Sequence, residues 1–144
     1  MALRAIIIFL TIGNLSTLHL FGSEFTKTVL PILQKKCISC HREPYKTKYG
    51  RIKKPKGKLI LNTPNGIKKS ILPNNPNQSL LYKRVTLDKE DDKFMPPLGK
   101  EEPLTEKELK ILRDWIQSGA KTDNWKGTNF NNQKLSIDIT HYIY

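Results

Sequence analysis

Both cysteines of this 144-residue chain fall in one five-residue stretch, CISCH, with Cys37 and Cys40 three apart and His41 directly after the second. No other feature limits the chain's possible folds so tightly. Residues i, i+3 and i+4 of a helical turn lie side by side, so two thiols and an imidazole are presented together. Four uses of such a set are open: a small disulfide, a redox-active dithiol, part of a zinc site, or a haem attachment point. A thioredoxin-like dithiol needs a strand before it and a helix after it. Here a helical pattern precedes the stretch, and a basic loop with Pro and Gly follows. Tetrahedral zinc takes four ligands. Cys37, Cys40 and His41 offer three, with His141 as a remote fourth. Haem uses the spacing directly: two thiols meet the two vinyl groups on one porphyrin edge, and the imidazole reaches iron from one face.

The amino terminus bears on which use applies. Arg4 precedes an apolar run over residues 5–12, followed by a weaker stretch to Phe21, the layout of a secretory signal peptide. The expected cleavage lies near residue 22 or 23, where Gly22 and Ser23 are small. An uncleaved membrane anchor is the alternative, although Asn14, Ser16, Thr17 and His19 interrupt the apolar run. Export places the cysteines in an oxidising compartment, with a periplasmic location. Behind an export signal and with no other cysteine, CISCH reads best as a haem site.

An iron held by His41 has a second axial position, which c-type electron carriers commonly fill with methionine. Apart from the initiator, the chain has one methionine, Met95, in the stretch KFMPPLG. Pro96 and Pro97 cannot continue a helix and stiffen the chain there. A gap-filling core methionine is the bland reading. A polar loop ending in two prolines suits ligation better.

These residues resemble the planctomycete-type cytochrome c domain, a relative of class I cytochromes c, over residues 25–120. The stretches that carry the likeness are VLPILQKKCISCH, KLILNT, ILPNNPNQSLLYKRV, DDKFMPP and LTEKELKILRDWIQSGA. The resemblance implies a mostly α, class I cytochrome c-like helical fold around one covalent haem c. It implies Cys37 and Cys40 as the attachment sites, with His41 and Met95 as axial ligands. It also suggests that the carbonyl of Pro73 accepts a bond from the second ring nitrogen of His41. Asn74 stands where the family usually has a glycine after that proline. The implied organisation is a signal peptide over residues 1–23, a cytochrome c domain over 24–120, and a polar tail over 121–144 with no counterpart in the family.

A helical reading stands without the family. Phe25, Val29, Ile32 and Leu33 recur at helical spacing, interrupted by Pro31, where the helix kinks or begins. In TEKELKILRDWIQSG, Thr105 and Glu108 predict a capping box and Gly119 a stop. Trp115 is expected in the core, with a haem propionate as the lesser option for its indole N–H. A short helix is expected over 79–85, a basic loop over 46–58 and a brief extended run over 58–61. Residues 122–134 read as loose, and LSIDITHYIY alternates as a strand does.

The formal net charge is +12, and residues 35–69 hold twelve Lys or Arg against one acid, Glu43. Such a face attracts an acidic redox partner protein, with salt-sensitive association. No recognition helix or stacking motif points to nucleic acid. A membrane contact is expected only if the leader is retained. The chain carries no phosphate loop or Ser-His-Asp set. The expected function is therefore a periplasmic monohaem c-type cytochrome, a one-electron carrier or the electron-transfer subunit of an oxidoreductase, rather than an enzyme. Two alternatives stay open: a zinc-stabilised structural protein, and a haem sensor or enzyme in which Met95 is displaceable.

Overall fold

The structure is a computed structural model that describes residues 25–129. The signal-peptide expectation, the LSIDITHYIY strand and His141 lie outside those residues. Four helices and one small hairpin make up the described chain: α1 (Phe25–Lys36), β1 (Tyr45–Lys46), β2 (Ile52–Lys53), α2 (Pro64–Lys68), α3 (Leu80–Val85) and α4 (Glu106–Gln117). Short 3-10 turns at Lys56–Lys58 and Pro76–Gln78 join them. The fold is mostly helical, as expected.

α1 runs unbroken through Pro31, which sits on its exposed side. The opposite side buries Phe25, Val29, Leu30, Ile32, Leu33 and Lys36. α4 packs against α1 through Leu112, Trp115 and Ile116. Its start is the capping box predicted from sequence: Glu108 N–H donates to Thr105 Oγ1 at 3.2 Å, and Thr105 N–H donates to Glu108 Oε2 at 2.8 Å. Its end is a Schellman turn. Gly119, at φ 99°, donates to the Ile116 carbonyl, and Ala120 N–H reaches back to that of Trp115.

Trp115 is a core residue, 1% exposed, with its ring centroid 5.4 Å from that of Phe25. Its Nε1–H donates to the Lys121 carbonyl at 2.8 Å, so the indole serves the chain and not a propionate.

α2 and the β1–β2 hairpin were not foreseen. α2 starts on Thr63, whose hydroxyl accepts from Gly66 N–H, with Pro64 at the first helical position. Gly66 is required by close approach: a Cβ there would lie 2.3 Å from the Ile60 carbonyl oxygen. The hairpin pairs Tyr45 with Lys53 and Lys46 with Ile52 within the expected basic loop, and Arg42 stacks on the Tyr45 ring at 3.5 Å. Ser79 is the N-cap of α3, its carbonyl accepting from Lys83 N–H at 3.0 Å, but its hydroxyl does not cap the helix. Its hydroxyl accepts from Leu72 N–H at 2.9 Å and lies 2.9 Å from the Asn75 carbonyl, closing the turn before the helix. Asn74 adopts φ 63° in that turn, and its N–H donates to the Ile116 carbonyl. Asparagine is the side chain that best tolerates this left-handed position, so it can stand in for the family's glycine.

The polar stretch after Ala120 is not loose where it is described. Trp125 stacks on Phe25 at 5.0 Å between centroids, and the Asp123 carboxylate accepts from Phe25 N–H at 3.3 Å. A carboxylate at a helix N-terminus is favourable there. Asn62, 4% exposed, ties the same stretch to the chain beyond His41. Its Oδ1 accepts from Glu43 N–H at 2.9 Å, and its Nδ2 donates to the Thr128 carbonyl at 3.1 Å.

Candidate haem-binding site

Beyond α1 the chain continues the helical turn through the cysteines. Cys37 N–H bonds the Leu33 carbonyl, and the N–H groups of Cys40 and His41 both reach the carbonyl of Cys37, at 3.2 and 3.0 Å. The turn is then fixed from outside by backbone alone. Lys56 N–H donates to the Cys40 carbonyl at 2.9 Å, and Leu61 N–H to the His41 carbonyl at 2.8 Å.

Both cysteines are free thiols, Cys40 exposed and Cys37 half-buried. Burial pushes the Cys37 thiol up to about 12, against the opposing pull of the neighbouring Lys36 ammonium. His41 is shifted the other way. Burial lowers its pKa below the usual histidine value, although bonds to backbone at Lys56 and Leu59 partly restore it. The ring is therefore neutral near pH 7. Its Nδ1 sits 3.0 Å from the Lys56 carbonyl. A carbonyl can only accept, so Nδ1 carries the proton and Nε2 keeps its lone pair for a metal. This corrects the expectation for Pro73, which lies exposed in the turn beside Asn74. The His41 ring is held instead by backbone of residues 56–59, a segment in which Gly57 takes a positive φ.

Met95 faces this turn. Phe94 anchors its loop in the interior, and Met95 N–H donates to the Arg84 carbonyl at the end of α3, at 2.9 Å. The Met95–Pro96 peptide is cis. Two hollows meet here. One, of about 280 Å³, is lined by Cys37, His41 and Met95 together with Leu59, Leu61, Leu80, Leu81 and Val85. The other, of about 220 Å³, is lined by the same three residues with Cys40, Lys36 and Pro96. All four donors read from sequence thus line these hollows, and Cys37, His41 and Met95 line both. A third hollow of about 230 Å³, bordered by Arg42, Glu43, Asn62, Lys126 and Thr128, contains none of them.

Residues 37–99 match the family model for Planctomycete cytochrome C. The match bears out the resemblance read from the residues, and its limits are informative. It begins on Cys37 and ends just past the methionine loop, so it covers every wall of the two hollows except Lys36 and residues 100–101. The helices that close the core, α1 and α4, lie outside it. No curated protein and no solved structure matches the chain.

The donors suit the cofactor of a cytochrome c domain. Two thiols three residues apart and a neutral imidazole with Nε2 unprotonated are the groups by which covalent haem is held, and a thioether lining the same hollow is one common further ligand. Among the described residues no cluster of three or more His, Cys, Asp and Glu side chains is arranged to hold a metal ion. Sequence reasoning placed Leu81 and Val85 inward but missed Leu59, Leu61 and Arg84 as walls of the site. It also missed Lys36, which gave no sign of differing from its basic neighbours.

Proposed function

We propose that the chain is a monohaem c-type cytochrome that carries single electrons in the periplasm, with an acidic redox protein as its partner. The observation that carries this reading is the convergence of Cys37, His41 and Met95 on one apolar hollow within the stretch matched to the cytochrome family. Cys37 and Cys40 would attach the haem through thioether bonds, and His41 Nε2 and Met95 Sδ would be its axial ligands. When bound, the haem supplies a reversible one-electron couple between Fe(II) and Fe(III).

The chain's own residues define the environment. The Lys56 carbonyl fixes the His41 tautomer and ring direction. Leu59, Leu61, Leu81 and Val85 exclude water from one face, and the Arg84 carbonyl holds the methionine loop in place. A haem iron held by both His41 and Met95 would keep no open coordination site, which favours electron transfer over oxygen or peroxide chemistry. Lys53, Lys54, Lys56, Lys58, Lys68 and Lys69 are all exposed. They would steer an acidic partner, with association that weakens as salt is raised. Among the described residues no helix is long and apolar enough to cross a membrane.

The test is expression of the full chain in a host that matures c-type cytochromes. The expected result is a c-type pyridine haemochrome with one haem per chain. Met95→Ala is expected to remove the sulfur–iron charge-transfer band and lower the reduction potential. A colourless but cooperatively folded wild-type protein would overturn the proposal.

A further inference from the structure

Lys36 is the only charged side chain buried among the described residues, at 6% exposure. Its basic neighbours along residues 35–69 are exposed or, for Arg42, half-buried. An ammonium is strongly hydrated and costs several kcal/mol to bury, so it is buried only where oxygen atoms replace its water. Here they do. Lys36 Nζ donates to the carbonyls of Glu102 and Pro103, at 3.0 and 3.2 Å, and lies 4.0 Å from Glu108 Oε2. The two carbonyls belong to the segment by which the Met95 loop returns to α4. Lys36 itself precedes Cys37 and borders the same hollow as Cys40, His41 and Met95.

We infer that Lys36 is a positioning residue for Met95: its ammonium clamps the far end of the methionine loop to the end of the helix that carries the cysteines. The loop is then held at both ends, by the Arg84 carbonyl at Met95 N–H and by Lys36 at residues 102–103. Neither contact uses a side chain of the loop itself. The inference rests on the haem reading for its imidazole-binding and spectroscopic readouts, and not for the amide-exchange comparison.

The test compares full-length Lys36→Met, which keeps the stem and removes the donors, with Thr105→Ala, which removes the hydroxyl of the α4 cap and leaves Lys36 Nζ its two carbonyl acceptors. In the haem-loaded ferric protein, Lys36→Met is expected to bind imidazole roughly tenfold more tightly, because loss of charge-assisted bonds worth about 1.4 kcal/mol lets the thioether leave tenfold more often. The sulfur–iron band weakens in parallel while the haem-to-protein ratio stays unchanged. Thr105→Ala lowers stability but leaves imidazole affinity at the wild-type value. In haem-free protein, amide exchange over residues 95–101 quickens in Lys36→Met and not in Thr105→Ala. If Lys36→Met does not fold, Lys36→Gln is measured in its place. Wild-type imidazole affinity and wild-type exchange over 95–101 in the lysine variant would refute the clamp. Absence of haem from the wild-type protein would instead refute the proposed function and leave the exchange comparison to decide the clamp.

Discussion

Replacing Asn62 with alanine tests whether the chain beyond Ala120 belongs to the folded unit. The side chain is 4% exposed and makes two bonds of good length, from Glu43 N–H at 2.9 Å and to the Thr128 carbonyl at 3.1 Å. Its third neighbour, Glu43 Oε2, is 3.5 Å away on an exposed residue and adds little. Two neutral hydrogen bonds contribute about 1 kcal/mol each, and leaving a partly buried donor and acceptor without partners adds about 1 kcal/mol more. The expected loss is about 3 kcal/mol. With a urea slope of about 1.5 kcal/mol/M, the midpoint falls by roughly 2 M at unchanged slope. Tryptophan fluorescence reports the transition, since Trp115 and Trp125 both pack on Phe25. Limited proteolysis should cut Asn62→Ala first within residues 122–129. A loss below about 0.5 kcal/mol, the range of ordinary surface substitutions, would mean that Asn62 does not tie this stretch to the domain.

Three further outcomes follow from the same coordinates. Gly66→Ala should destabilise the protein by about 1–3 kcal/mol in thermal or urea unfolding despite alanine's better helix propensity, because the new methyl meets the Ile60 carbonyl and side chain; a stabilised variant would contradict the packing described. In reduced haem-free protein at pH 8, a Cys37 thiol raised to about 12 should alkylate roughly a thousandfold more slowly than an unperturbed thiol, while exposed Cys40 reacts readily. Mass mapping of the two sites checks this, and equal rates would count against it. The haem-free fold should lose stability as pH falls below the ordinary histidine value of 6.5. The lowered folded pKa of His41 means that the unfolded chain binds more protons there. His41→Gln should flatten that part of the stability–pH curve.

What could be read from the residues was local. The Thr105–Glu108 box, the stop at Gly119 and the shared turn of Cys37, Cys40 and His41 each depend on side chains within a few positions of one another. The placement of Met95 beside the cysteine turn was suggested differently, by a lone methionine before two prolines, although the residue also packs against the core. The failures share a cause as well. The partner of His41 Nδ1 is a backbone carbonyl, and every residue has one, so nothing in the letters distinguished Lys56 from Pro73. α2 is only five residues long and contains both proline and glycine, too short for a periodic pattern. The hairpin strands are two residues each, and their one aliphatic residue, Ile52, is exposed, so no alternation marks them. Trp125 and Asp123 were obscured by polar neighbours, since their contacts are with Phe25 at the opposite end of the described chain.

The bonds that hold the cysteine turn and the methionine loop end almost entirely on main-chain atoms: the carbonyls of Cys40, His41, Lys56, Arg84, Glu102 and Pro103, and the amides of Lys56, Leu61 and Met95. Geometry and surface character are thus assigned to different atoms of the same residues. Positions 56 and 102, both exposed, can exchange one side chain for another, and with it the surface charge, while every one of these main-chain bonds persists. Proline at 56, 61 or 95 would be the exception, since it deletes an amide the scaffold relies on. Under the proposed function, a lineage of such proteins is free to change partners by recolouring its exterior without disturbing the backbone bonds around the hollow.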